Sequence, residues 1–277
     1  MSAGAVSAWW RECVTETVKV ITVRRNRVLA GVAVGVAVAV PWLFLAAFGW
    51  LRDQGVAASS TEVIALAQRN QTIALALMVV LGLQAYISDA SSGLLATTLA
   101  GGRTWAQPGG KLLFGAMWSA VLAILCTASA MLACIIIGVP EPGTAALGSW
   151  SFWAMSAFAL TAALLLHFEF GLVLALLARN KGLAVAAGLM VPFVLVGLVR
   201  GAVQQVSAGA VGLIDWVLPT ELASRLLTWV PDGNSLMDAP VDGLAVRALL
   251  LLAWLAAGAV IWLLVMRRRS LYPADQG

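Results

Sequence analysis

Two ionisable residues stand inside an apolar run that has no need of them. His167 and Glu169 interrupt Ser151–Ala178, and Glu169 lies ten residues before Arg179. That is about 15 Å along a helix, near the middle of a bilayer if the run crosses one. A carboxyl group at such depth is costly and marks a functional position by default. The chemistry open to it is proton carriage, a place on a transport path, or a bond to another span. Residues two apart on a helix lie about 200° apart around it, so His167 and Glu169 do not form one dyad. A catalytic or metal role ranks below these readings. Gln84 joins the pair as a candidate pathway or interhelical group. Thr127, Ser129 and Thr161 read as lone polar residues that hold spans together.

Other chemistries are excluded by missing residues. Nucleotide hydrolysis needs G-x-x-x-x-G-K-[ST], so that backbone amides and Lys cradle phosphates. Gly109-Gly110-Lys111 is followed by Leu112, and Thr104 and Trp105 stand where the earlier Gly would be needed. No G-x-S-x-G, H-E-x-x-H or carboxylate pair occurs in the apolar runs. One histidine and three scattered cysteines (Cys13, Cys126, Cys134) suggest neither a zinc site nor a disulfide framework. The chain is not expected to be an enzyme or to hold a cofactor of its own.

The elements that must position these residues follow from composition. The chain is 61% hydrophobic and 11% charged, with mean hydropathy +0.94. Soluble domains carry about a quarter charged residues, so bilayer is the solvent here. The net charge of +4 flanks apolar runs instead of forming a patch, which argues against nucleic acid as a partner. Six spans are expected: Val28–Trp50, Thr72–Ser88, Leu112–Ile137, Ser151–Ala178, Gly182–Val199 and Val246–Met266. The fold class is an all-α integral membrane protein with one transmembrane domain. No cleavable signal peptide is evident, because the first run follows a 27-residue polar-to-amphipathic stretch.

Basic residues set the orientation. With the N-terminus inside, Arg11, Lys19, Arg24, Arg25, Arg27, Arg103, Lys111, Arg179, Lys181 and Arg267–Arg269 are internal, 12 of the 17 Lys and Arg. Most acids, from Asp53 to Asp242, then fall outside. Both termini are expected in the cytoplasm. Residues 1–27 read as an amphipathic interfacial helix, with Trp9, Trp10, Cys13, Val14, Thr17, Val18 and Ile21 on one face. Arg11, Glu12, Thr15, Glu16, Lys19 and Thr22 take the other face. Trp9 and Trp10 at one end, and Arg24, Arg25 and Arg27 at the other, suit a helix anchored among lipid headgroups. Most other Trp, notably Trp42, Trp50, Trp105, Trp150, Trp153 and Trp262, read as an interface belt. Gly31 and Gly35 permit close packing of span one, and Pro41 and Pro192 are expected to kink their spans. Residues 200–245 read as two short outer-side helices, Ala202–Leu213 and Glu221–Val230, capped by Thr220 and ended at Pro231-Asp232-Gly233-Asn234.

The segment Ile87–Lys111 is the least hydrophobic stretch in the first half and reads as a short helix plus a turn. It runs through Asp89, Gly93, Leu94-Leu95-Ala96-Thr97-Thr98-Leu99, Gly101-Gly102-Arg103 and Lys111. This order resembles the loop between spans two and three of ABC-2-type transporter permeases. The N-terminal helix, six spans and paired outer helices resemble that family as well, so the likeness runs the length of the chain. Asp89-Ala90-Ser91-Ser92 departs from the family's charged pair, and Gly101-Gly102 from its turn proline.

The resemblance implies the permease subunit of a bacterial exporter in the inner membrane. Its cytoplasmic coupling helix would dock an ATPase through Asp89, Ser92, Gly93, Leu94, Leu95, Thr97, Thr98, Arg103 and Lys111. The implied partners are two ATPase copies, which hold the ATP and Mg, a second permease subunit, identical or homologous, and membrane lipids. Drug efflux or self-protection is the implied role. A proton-coupled carrier using Glu169 is the alternative. A plain turn helix resting on headgroups is the other reading of the loop.

Overall fold

In a computed structural model the chain is a helical bundle. The structure describes residues 3–54, 71–91, 106–137, 149–177, 180–206, 216–227 and 243–271. These form α1 (Ala3–Thr22), α2 (Arg24–Asp53), α3 (Thr72–Ser91), α4 (Ala106–Ile137) and α5 (Trp150–Leu177). There follow α6 (Lys181–Met190), a π-helical turn (Val191–Leu195), α7 (Val196–Val206), α8 (Pro219–Leu227) and α9 (Leu244–Leu271). No strand occurs among the described residues. Among the described residues six helical stretches are long and apolar enough to cross a membrane, with α6, the π turn and α7 together making the fifth. The protein is a multi-pass membrane protein.

Helix α5 is the axis. It touches α3, α4, α6, α8 and α9, and Phe152, Leu160, Leu164, Phe168 and Leu172 are fully enclosed. Two glycines let α3 and α5 cross at backbone contact. A Cβ on Gly82 would strike the Phe168 carbonyl, and one on Gly171 would strike the Val79 carbonyl. Neither obstacle is a side chain that can swing away. Gly171→Ala is therefore expected to cost about 1–3 kcal/mol through overpacking. A thermal unfolding scan of the detergent-solubilised variant checks this.

Several boundaries differ from the sequence expectation. Span three begins at Ala106 instead of Leu112, so Gln107-Pro108-Gly109-Gly110 is helix, not turn. Pro108 sits in the first turn, where a missing N–H costs nothing. Span five runs on as helix to Val206, so Ala202–Val206 extends it instead of opening an outer helix. The second expected short helix is present as α8, but it starts at Pro219, so Thr220 lies within it and its hydroxyl does not act as the expected cap. Pro192 falls in the π turn, a usual place for a bent helix. Trp153 and Trp262 are buried and do not belong to a belt, whereas Trp50 and Trp150 are exposed. Gly31 and Gly35 have nothing within 4 Å and face outward.

Candidate functional site

The first polar site is built where α1, α3 and α4 meet. Lys111, one turn into α4, is 0% exposed. Its three N–H donors all find acceptors: Glu16 Oε1 at 2.5 Å, Asp89 Oδ2 at 2.6 Å and the Ala85 carbonyl at 2.5 Å. Lys19 Nζ donates to Glu16 Oε1 at 3.0 Å and to Asp89 Oδ1 at 2.5 Å. Gln107 Nε2 donates to Asp89 Oδ2 at 3.0 Å. The order Lys111–Glu16–Lys19–Asp89–Lys111 is a closed ring of alternating sign. Its two positive and two negative charges sum to zero, which is what makes burial of four ionised groups tolerable.

The ring's electrostatics show in its less buried members. Burial alone would lower the Lys19 ammonium, but Glu16 and Asp89 outweigh it and hold Lys19 above the ordinary lysine range. Burial, and then the Glu16 charge, push the Cys13 thiol up, so Cys13 stays an inert thiol.

Helix α1 seats here because α4 offers it a smooth surface. A Cβ on Gly109 would overlap the Trp9 indole, and one on Gly110 would overlap Glu12 Cβ and press on the Trp9 carbonyl and Cys13 amide. The last span reaches the same place. Trp262 Nε1 donates to the Pro108 carbonyl at 3.1 Å, and its ring meets Tyr86 edge-on at 5.8 Å. So both chain ends that border residues 92–105 are tied to each other, to α1 and to α9.

This arrangement corrects the two-faced reading of the N-terminal helix. Glu16 is buried and Lys19 is half-buried in the ring, not on a solvated face. Trp9 turns toward α4, while Trp10, Val14, Val18 and Ile21 are exposed. Around a 3.6-residue turn the helix has three faces: Trp9, Cys13, Glu16 and Val20 inward, Trp10, Val14, Val18 and Ile21 as an exposed apolar strip, and Arg11, Thr15 and Thr22 as an exposed polar strip. The sequence reading missed Glu16, although positions 9, 13, 16 and 20 follow the heptad spacing of a buried seam, a signal that could have found it.

The other expected site residues fall in several places. Asp89 and Lys111 are in the ring. Ser92, Gly93, Leu94, Leu95, Thr97, Thr98 and Arg103 lie outside the described residues. Arg24, Arg25 and Arg27 are exposed at the start of α2, and Arg25 donates to Gln84 Oε1, joining α2 to α3. His167 bonds the Ala163 carbonyl through Nδ1 at 2.7 Å and stacks on Phe193 of the π turn. Glu169 points elsewhere, to Gly258 of α9. The two residues thus lean on different helices, as their spacing requires. Ser129 donates to the Val38 carbonyl at 2.7 Å and joins α4 to α2, whereas Thr161 bonds only its own helix.

The elements around α8 carry their own ties. Arg200 pairs with Glu221 at 2.6 Å, and the Arg247 guanidinium lies 3.8 Å over the Trp216 ring. Trp254 Nε1 donates to the Val217 carbonyl at 2.9 Å. These contacts hold α8 between span five and α9. No protein-family model matches the chain, and no curated protein matches it.

Proposed function

We propose that the chain is the membrane-spanning subunit of an ABC-2-type exporter, driven by ATP hydrolysis in a separate polypeptide. The observation that carries this reading is the joint around Lys111. Residues 92–105 leave α3 just after Asp89 and enter α4 just before Lys111. A push on that segment reaches α1 through the ion pairs of Glu16 and Lys19 with Asp89 and Lys111, and α9 through the bond of Trp262 to the Pro108 carbonyl. A plain turn between two spans needs no such bracing. The chain also lacks a phosphate-binding loop, so an ATP-driven stroke must come from a partner.

In this mechanism a coupling helix within 92–105, with Leu94, Leu95 and Leu99 on its apolar edge, sits in a cleft of the ATPase. Ser92, Thr97 and Thr98 bond across the contact, and Arg103 lies beside it. Closure of two ATPases on ATP turns the joint, and the spans open a path between two permease subunits. The exposed strip of α1 rests in the cytoplasmic leaflet, where Arg24, Arg25 and Arg27 meet headgroups. Both termini are cytoplasmic, and the membrane is the bacterial inner membrane.

The experiment is tagged purification of the chain from its native membranes, identification of any co-purifying ATPase, and an ATP hydrolysis assay of the pair in nanodiscs. A stable complex whose hydrolysis rises above that of the free ATPase is expected. Failure of the two to associate, or to hydrolyse ATP together, removes the reading.

A further inference from the structure

A second polar group has no part in the joint. Glu169 is 5% exposed, and its Oε2 is buried with no hydrogen-bond partner among the described residues. Its carboxyl fills a notch on α9 that exists because residue 258 is glycine: a Cβ there would overlap Oε2. Gly258 is near the midpoint of α9, roughly 20 Å from either end. The carboxyl is therefore at membrane depth, where an unpaired charge is costly.

The setting gives that carboxyl leverage. Helix α9 is lightly held, with 17% of its most apolar window buried, against 61% for α5. Its inward side is one stripe, Arg247, Leu251, Gly258, Trp262 and Met266, spaced by whole helical turns. Glu169 touches the middle of that stripe. A neutral carboxyl packs there at far less cost than an ionised one, which must be hydrated or drawn out, and either parts α9 from α5.

The charged groups on the surrounding elements make no hydrogen bond to Oε2, and several are committed elsewhere or distant along their helices. Asp89 of α3 and Lys111 of α4 are in the ring, and Glu221 of α8 pairs with Arg200. Arg225 lies on α8 and Lys181 opens α6. Arg247 is over Trp216, and Arg267 is nine residues, roughly 14 Å, from Gly258. His167, on the same helix, bonds the Ala163 carbonyl. No hydrogen bond or ion pair from these groups reaches Oε2.

We infer that Glu169 is a proton-binding site that seats the last span: the proton on its carboxyl is the ligand, and its release loosens α9 from α5. The inference does not depend on an ATPase partner.

The test is thermal unfolding of the full-length chain in nanodiscs, from about pH 5 to about pH 9. Unfolding exposes a carboxyl that ionises above its ordinary value of about 4.3. The proton's contribution is thus present at low pH and lost as pH rises. The wild-type midpoint is expected to fall by roughly 3 °C or more, the shift that about one pH unit of proton linkage produces in a chain of this size. Glu169→Gln and Glu169→Met are both expected to melt without that dependence. An infrared spectrum of the wild-type protein near neutral pH is expected to show a protonated-carboxyl carbonyl band that either variant lacks. A flat wild-type midpoint, a variant that keeps the wild-type slope, or the absence of the band from the wild type overturns the inference.

Discussion

Lys111→Met is expected to lower stability by about 3–5 kcal/mol, because it leaves a buried charge uncompensated. Methionine matches the lysine stem, so packing changes little and the effect is electrostatic. Without Lys111, Glu16 and Asp89 face one ammonium between them, at 3% and 2% exposure. The Ala85 carbonyl loses its bond as well. For a chain of this length that is a drop on the order of 10 °C in melting temperature. A double variant separates charge from packing. Lys111→Met with Glu16→Gln leaves the Lys19–Asp89 pair intact and the site neutral again. It is expected to be more stable than Lys111→Met alone, although one more native group has been removed. Equal or greater loss in the double variant would mean that the ring is held by shape and not by charge balance. Melting curves of the wild type, both single variants and the double variant complete the cycle.

Why this ring was only half legible follows from particular residues. Asp89 and Lys111 stood out because each ends or opens an apolar run, and both are in the site. Glu16 did not stand out, because Glu16 and Lys19 at i, i+3 look like a surface pair that supports a lone helix. What makes them internal is α4, which rises past the expected start of span three to meet α1. That rise was hidden by Gln107-Pro108-Gly109-Gly110, whose composition is turn chemistry. The same residues serve a helix when the proline is in its first turn and the glycines have a helix pressed on them. The spans themselves were legible, since twenty apolar residues have few other solutions. Their neighbours were not. Trp262 lies near a helix end and so reads as interfacial, yet its indole is enclosed by Tyr86 and the start of α4. A one-dimensional hydropathy pattern gives depth in the bilayer, but not which face of a span meets protein.

The joint can also be opened without touching a charge, and that separates its mechanical part from its electrostatic one. Gly110→Leu places a side chain where Glu12 Cβ, the Trp9 carbonyl and the Cys13 amide already stand. Helix α1 has to move, because two of those three groups are backbone. Overpacking of about 1–3 kcal/mol shifts the docked equilibrium of α1 roughly 5- to 150-fold. The ring then opens on its α1 side, while Lys111 and Asp89 remain paired between α3 and α4. Residues 92–105 are unaltered, so under the proposed exporter mechanism the proposed ATPase partner is expected to bind and hydrolyse ATP as before. Transport into inverted vesicles is expected to fall by at least about fivefold, because the stroke no longer reaches α1. Trp9 fluorescence, in a variant whose other tryptophans are replaced by Phe, reports the detachment directly. If transport persists with α1 detached, α1 is only a lipid anchor and the stroke travels through Trp262 and α9 alone. If ATPase binding is lost as well, α1 belongs to the docking surface itself, and the ring is the floor of that surface instead of a link behind it.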